Sequence, residues 1–161
     1  MNIFVLSLNP EEAAKAHCDK HVVKMILETA QLLSTAHHVH PSAYYPTIQD
    51  LIYKKTHVNH PCAIWVRANK QNYLWAFSLL FNLLNEYTFR YGKVHKTQRL
   101  LGPLALIPNI DQESALTPFA QAMPEVYRSQ YDAVEAYRSY YINEKSKLLT
   151  YTKREKPEWL S

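Results

Sequence analysis

The first forty residues change from a continuous apolar run to a helical pattern. Residues 3–6, Ile-Phe-Val-Leu, predict an extended segment docked on the core. Asn9 followed by Pro10 predicts a helix start, because asparagine caps free backbone amides and proline fits the first helical turn. Helical spacing then continues to about His38, with a break expected near Asp19, and the His40–Pro41 pair ends it.

Polar residues in this helical region form one narrow stripe. A surface helix usually has a broader charged face, whereas most of the remaining circumference here is apolar. The pattern therefore predicts a buried helix that lines a cleft. At 100° per residue, the stripe contains His17, His21, Lys24, Glu28, Gln31 and Thr35.

The middle of the chain predicts a loop and then a long central helix. Residues 41–58 have the pattern of a loop with one helical turn at residues 48–53. Asn59 is the expected cap of a helix over residues 60–91, since Pro61 is tolerated in a first turn and Gly92 suits a helix end. Glu86 and Arg90, four residues apart, are expected to pair on its solvent-exposed side.

The C-terminal part adds one more helix to an irregular connection. Four prolines in residues 102–124 predict an irregular segment wrapped over the core, and a last helix is expected over residues 133–149. Only 2 glycines occur in the 161 residues, too few for many tight β-turns. We therefore expect an all-α fold, a compact single-domain helical bundle over residues 1–161 with a long central helix and irregular connecting loops.

Composition narrows the choice of compartment and partner. The net charge of +4 favours a polyanionic partner. No segment approaches the roughly 20 apolar residues that span a bilayer, and no N-terminal run resembles a signal peptide. We expect a cytoplasmic protein with no membrane partner. The sequence does not determine its oligomeric state. Cys18 and Cys62 are expected to be buried free thiols rather than a disulfide.

The first candidate site is the run Asp19-Lys20-His21-Val-Val-Lys24. Lys20 and Lys24 lie one helical turn apart with His21 between them, so two cations and one imidazole would meet a phosphate or base together. Asp19 would act as an acid or base, or would cap the helix. The structural alternative is a capped helix that carries two solvated lysines.

The eight histidines raise a second possibility, a metal site. His17 and His21 on one helix, with His57 and His60 elsewhere, would place four imidazoles around a divalent ion. No zinc-finger or metalloprotease spacing is present, so we expect neither a metal nor any other cofactor. A helix-start histidine that hydrogen-bonds the backbone is the simpler account of His60.

Basic residues interleaved with aromatic ones form the third candidate. Lys96 lies in a short basic run, and Arg128 stands between Tyr127 and Tyr131. Nucleic-acid sites combine cations that neutralise phosphates with flat rings that stack on exposed bases. The alternative is that the tyrosines pack in the protein with their hydroxyl groups at the surface.

Two motifs resemble a known family. Asn59-His60 followed by Trp65, and the segment Pro124-Glu-Val-Tyr-Arg-Ser-Gln-Tyr131, are similar to the pyrimidine-dimer DNA glycosylase/AP-lyase family, the phage endonuclease V of UV repair. The order of parts is similar along nearly the whole chain. The Asp-Lys-His-Val-Val-Lys segment also resembles phage and bacterial proteins that are sometimes given that label.

The resemblance implies roles for individual residues. Lys20 and Lys24 stand where the family has arginines that grip DNA phosphates, and His60 and Arg128 would lie on the binding face. The family's catalytic glutamate is replaced by His21, which leaves Asp19 as the nearest carboxylate. The family's nucleophile is the α-amine exposed by removal of the initiator methionine; the size of Asn2 should hinder that removal, so the amine here would be that of Met1.

These observations lead to one preferred function. We expect a DNA-processing enzyme, a DNA repair glycosylase/AP lyase or a base-modifying enzyme, that acts on a nucleotide extruded from double-stranded DNA. The alternatives are a non-catalytic nucleic-acid-binding protein of the same fold and, third, a histidine-ligated metal-dependent hydrolase. The expected catalytic residues are Met1, Asp19 and His21, and the expected nucleic-acid-binding residues are Lys20, Lys24, His60, Lys96 and Arg128.

Overall fold

A computed structural model describes residues 1–160 and confirms the all-α fold, with no β-strand among these residues. No helix in this part of the chain has the length and apolarity needed to cross a membrane. The seven α-helices are α1 (Pro10–Ala16), α2 (Asp19–Val39), α3 (Tyr45–Ile48), α4 (Pro61–Val66), α5 (Lys70–Tyr91), α6 (Leu101–Leu104) and α7 (Ala133–Glu144). Short 3-10 turns lie at Lys96–Leu100, Glu125–Tyr127, Ser146–Leu148 and Glu158–Leu160.

The core lies where α2 packs against α5, with α1 on α5 and α4 on α2. Leucines at positions 79, 80, 83 and 84 of α5 are fully buried there. Burial of such a side chain contributes about 2 kcal/mol. Residues 3–6 are also buried and form no helix or strand, as the sequence predicted. This segment brings the start of the chain against the core.

The capping residue and the expected break predicted the first two helices correctly. The Asn9 side chain accepts hydrogen bonds from the backbone amides of Glu11 and Glu12 and so caps α1. The expected break near Asp19 is present, because His17 and Cys18 have extended backbone between α1 and α2. The break allows α2 to leave in a new direction, so α1 and α2 pack on α5 as separate helices.

The predicted long central helix is interrupted at residues 67–69. Asn69 has an extended backbone, and its side chain accepts a hydrogen bond from the Asn72 amide to cap α5. The Lys70 amide donates to the Asp111 carbonyl at 2.7 Å, a contact from a distant segment that local spacing does not reveal. The first of the two helices, α4, is capped by His60 rather than by Asn59.

Two smaller boundary predictions were also wrong. The short helix expected at residues 48–53 lies instead at Tyr45–Ile48, because Pro46 occupies its first turn. The last α-helix ends at Glu144 rather than at residue 149. A separate 3-10 turn over Ser146–Leu148 follows it and carries the chain back towards α2.

The Glu86–Arg90 pair is buried, contrary to the predicted solvent-exposed position. Arg90 Nε donates to Glu86 at 2.9 Å and Arg90 Nη1 to Asp19 at 3.1 Å, while Arg154 Nε donates to Glu86 at 2.7 Å. Burial alone would raise the pKa of Glu86, but hydrogen bonds from Arg154 and Arg90 lower it on balance. The network joins α5, the start of α2 and the C-terminal segment.

We predict that Glu86→Ala lowers the free energy of unfolding by about 3 kcal/mol at pH 7, because it leaves buried guanidinium groups without a partner. The exposed Glu12, which lies 3.8 Å from Lys15, provides the control: Glu12→Ala should change stability by less than about 1 kcal/mol. Urea denaturation measures both. Since folding lowers the pKa of Glu86, its contribution should decline as the pH falls through that lowered value. Equal losses in the two variants would contradict a stabilising network.

Candidate active site

The α-amine of Met1 lies 3.0 Å from Glu28 Oε1, on the middle of α2. The Met1 side chain is only 4% exposed, whereas the residue as a whole is half-buried, so its exposed surface belongs to the main chain. Asn2 anchors this end: its side-chain amide donates to the Ala122 carbonyl, and its oxygen accepts from the Tyr137 hydroxyl. The amine is therefore held in place but remains reachable from solvent.

The second oxygen of Glu28 has no hydrogen-bond partner among the described residues. The Glu28 side chain is 9% exposed, and Lys24 Nζ lies 3.9 Å from this second oxygen, Oε2. Buried carboxylate oxygens are normally hydrogen-bonded, since an unpaired one costs desolvation free energy. An oxygen left open beside the Met1 amine is therefore available to a ligand or to a transferred proton.

His60 fixes the main chain of Met1. Its Nδ1 accepts a hydrogen bond from the Cys62 amide at 3.0 Å, so the proton of the neutral ring lies on Nε2. The ring also hydrogen-bonds the main chain of Met1. Burial, followed by the charge of the nearby amine and by His57, lowers the pKa of His60. The prediction of a helix-start histidine that bonds the backbone is confirmed.

Two further predicted binding residues lie on the segments that form this site. Lys20 is exposed one turn before Lys24 on α2. Arg128 is exposed, and its Nε donates to the Met123 carbonyl at 3.0 Å, next to the Ala122 carbonyl that Asn2 contacts. Met1, Lys24 and His60 thus surround Glu28, with Lys20 on the same helix and Arg128 on the segment that anchors Asn2.

The structure places His21 in the core rather than beside the amine. Its ring stacks on Phe4 at a centroid distance of 4.5 Å, and its Nδ1 hydrogen-bonds the Tyr141 hydroxyl at 2.7 Å. Burial, followed by the charges of His17, Lys145 and Lys24, lowers the pKa of His21 to about 3. His21 is thus a neutral core imidazole, roughly 10 Å along the helix axis from Glu28.

Asp19 and Lys96 lie apart from the site. Both oxygens of Asp19 are occupied, by Arg90 and by the amide and hydroxyl of Thr152. Burial alone would raise the pKa of Asp19, but these hydrogen bonds lower it. Lys96 begins a 3-10 turn after α5, and no contact within residues 1–160 links it to Met1.

Glu28 is the residue that the sequence-based choice of site missed. It lies on the polar stripe of α2, one turn after Lys24, so the signal was the stripe itself. Asp19 was the predicted carboxylate because it adjoins the lysine–histidine run. Only the path of residues 1–6 shows which position on the stripe the chain start reaches.

Metal-ligand groups do not converge in the structure. Within residues 1–160, no group of three or more histidine, cysteine or carboxylate side chains is arranged to hold a metal ion. Burial lowers the pKa of His17 to about 4, and its Nδ1 hydrogen-bonds the Ala13 carbonyl. Cys18 and Cys62 are free and buried, as predicted.

Comparison with known proteins adds no relative. No protein-family model, curated protein or solved structure matches this chain. The resemblance to the glycosylase/AP-lyase family therefore stays a hypothesis, and the geometry around Glu28 is the feature that bears on function.

We predict that the His21 imidazole stays neutral from pH 7 to about pH 4 in the folded protein, because burial holds its pKa at about 3. Nitrogen-15 NMR of the ring measures this directly. In urea the same ring should titrate near its usual pKa of about 6.5. The unfolded chain then takes up the proton first, so stability should fall as the pH drops below about 6.5. Titration near neutral pH in the folded state would return His21 to the candidate site.

Proposed function

We propose that this chain is a DNA-processing enzyme of the glycosylase/AP-lyase type, whose nucleophile is the α-amine of Met1 and whose acid–base group is Glu28. The single observation that carries the proposal is the 3.0 Å pair between that amine and a buried carboxylate whose other oxygen accepts no hydrogen bond from the described residues. An α-amine that has lost a proton is a nucleophile towards carbon, and the carboxylate beside it can accept that proton.

The chemistry begins with transfer of a proton from the amine to Glu28. The nitrogen lone pair forms a bond to C1′ of the deoxyribose, and the bond from C1′ to the base breaks with its electron pair leaving on the base. The base takes up the proton that the new ammonium centre at C1′ loses. Glu28 then protonates the ring oxygen O4′ as the sugar opens, which leaves an iminium ion between Met1 and the sugar. Glu28, a carboxylate again, accepts a C2′ proton as the C3′–O bond breaks and the 3′ phosphate leaves, and water hydrolyses the iminium to release the amine.

The surrounding charges suit a DNA substrate. Lys24, 69% exposed and 3.9 Å from Glu28, would hold a backbone phosphate beside the reacting sugar. Lys20 and Arg128 extend the positive surface on either side. The charge of Lys145, just after α7, also lowers the pKa of His21 on α2. Duplex DNA with one extruded nucleotide fits a site at the edge of such a surface.

We predict that sodium borohydride traps a covalent adduct between the protein and a duplex that contains an abasic site, a thymine dimer or a modified base. Glu28→Gln should reduce the rate of adduct formation at least about 100-fold, because it removes the group that accepts the amine proton. Denaturing gel electrophoresis of labelled duplexes measures the rate.

The matched control is Glu12→Gln, a carboxylate that is 62% exposed on α1, and its rate should equal that of the parent protein. The proposed mechanism is abandoned if the parent protein yields no adduct, base release or strand scission on any of these duplexes. Duplex binding that weakens steeply with salt would then favour the alternative of a non-catalytic nucleic-acid-binding protein.

We predict that one extra residue before Met1 abolishes adduct formation, since it converts the reactive amine into an amide. Mass spectrometry of the trapped complex from the parent protein should locate the sugar on the N-terminal peptide that begins with Met1. Lys24, whose amine lies 3.9 Å from Glu28, is a competing amine, and Lys24→Gln should weaken duplex binding while the adduct stays at the N-terminus. An adduct on the Lys24 peptide would contradict the assignment of the nucleophile.

A further inference from the structure

One arc of α2 remains exposed, and it carries two lysines and two apolar side chains. Val23 and Leu27 are each 39% exposed, although they lie one turn apart on a helix whose other apolar residues are mostly buried. Lys20 and Lys24 are exposed on the same arc. We refer to Lys20, Val23, Lys24 and Leu27 as the lysine–leucine face.

This face borders the proposed active site. At about 100° per residue, the four side chains span roughly 100° of the helix circumference, and Glu28 lies about 40° beyond Lys24. The contact of 3.9 Å between Lys24 and Glu28 marks this border. A partner seated on the face would therefore place its nearest groups at the Met1 amine.

We propose that the lysine–leucine face is a DNA-distorting wedge, in which Leu27, supported by Val23, enters the base stack where the reacting nucleotide leaves it. This inference rests on the proposed function and names the residue that extrudes the nucleotide. Apolar side chains that open base steps are usually flanked by cations on the phosphates, and Lys20 and Lys24 supply those cations here. Leu27 occupies the vacated space and so slows the return of the nucleotide.

The composition of the face favours duplex DNA over a membrane surface. A helix that lies in a lipid interface needs a broad apolar face with its cations on the opposite side. Here only two apolar side chains are exposed on the arc, and both lysines lie within the same arc. Charge next to a narrow apolar edge matches a phosphate backbone on either side of one base step.

The test separates extrusion from chemistry. Leu27→Ala should slow adduct formation about tenfold on a thymine-dimer or modified-base duplex, yet leave it unchanged on a single strand that carries an abasic site, where no stacked base must leave. Leu27→Phe keeps the bulk and should restore most of the duplex rate. Leu51→Ala, at a leucine that is 51% exposed in a turn and is not part of the lysine–leucine face, is the control and should match the parent protein. Equal duplex rates for Leu27→Ala and Leu51→Ala would overturn the wedge.

A binding measurement tests the wedge even if the protein forms no covalent adduct. If the parent protein forms no adduct, a 2-aminopurine base in the duplex still reports unstacking. Fluorescence that rises on binding of the parent protein but not of Leu27→Ala would support the wedge while the proposed function falls. Lys20→Gln should also lower the slope of binding against salt by about one counterion. Leucine-dependent binding to anionic phosphatidylserine vesicles with no binding to duplexes would overturn the wedge.

Discussion

Helix α2 packs against α5, α4 and the N-terminal segment, which leaves only about 100° of its circumference open to solvent. This constraint decides the role of every polar residue on the helix. A polar side chain on the buried side must find a partner, whereas one on the open arc is free to meet a ligand. Glu28 lies at the border between the two, and for that reason it is both buried and incompletely bonded.

Two carboxylates of α2 show the consequence. Asp19 and Glu28 both pair with a cation from elsewhere in the chain, but their hydrogen bonding differs. Asp19 has both oxygens occupied by Arg90 and Thr152, so it fastens the C-terminal segment to the helix start. Glu28 has one oxygen on the Met1 amine and one that accepts no hydrogen bond within residues 1–160. The fully hydrogen-bonded Asp19 suits a structural role, whereas the open oxygen of Glu28 suits proton transfer.

Much of the fold could be predicted from local chemistry. Asn9 and Pro10 begin α1, the break before Asp19 separates α1 from α2, and scarce glycine with helical spacing indicated an all-α fold. Predictions failed where a distant partner intervened. Arg67 ends α4 and Asn69 caps α5, where the Lys70 amide donates to the Asp111 carbonyl, and Arg154 from the C-terminal segment hydrogen-bonds Glu86 of the buried Glu86–Arg90 pair. The spacing of neighbouring residues in the sequence indicates neither contact.

The candidate site, like the fold, could be predicted from the sequence only in part. The sequence alone determined that α2 carries a narrow polar stripe, that lysines lie one turn apart on it, and that His60 starts a helix. Only the tertiary structure decided which stripe residue meets the chain start, because the course of residues 1–6 across the core is set by apolar packing rather than by any polar motif. That packing joined Met1 to Glu28 and left His21 and Asp19 to structural partners.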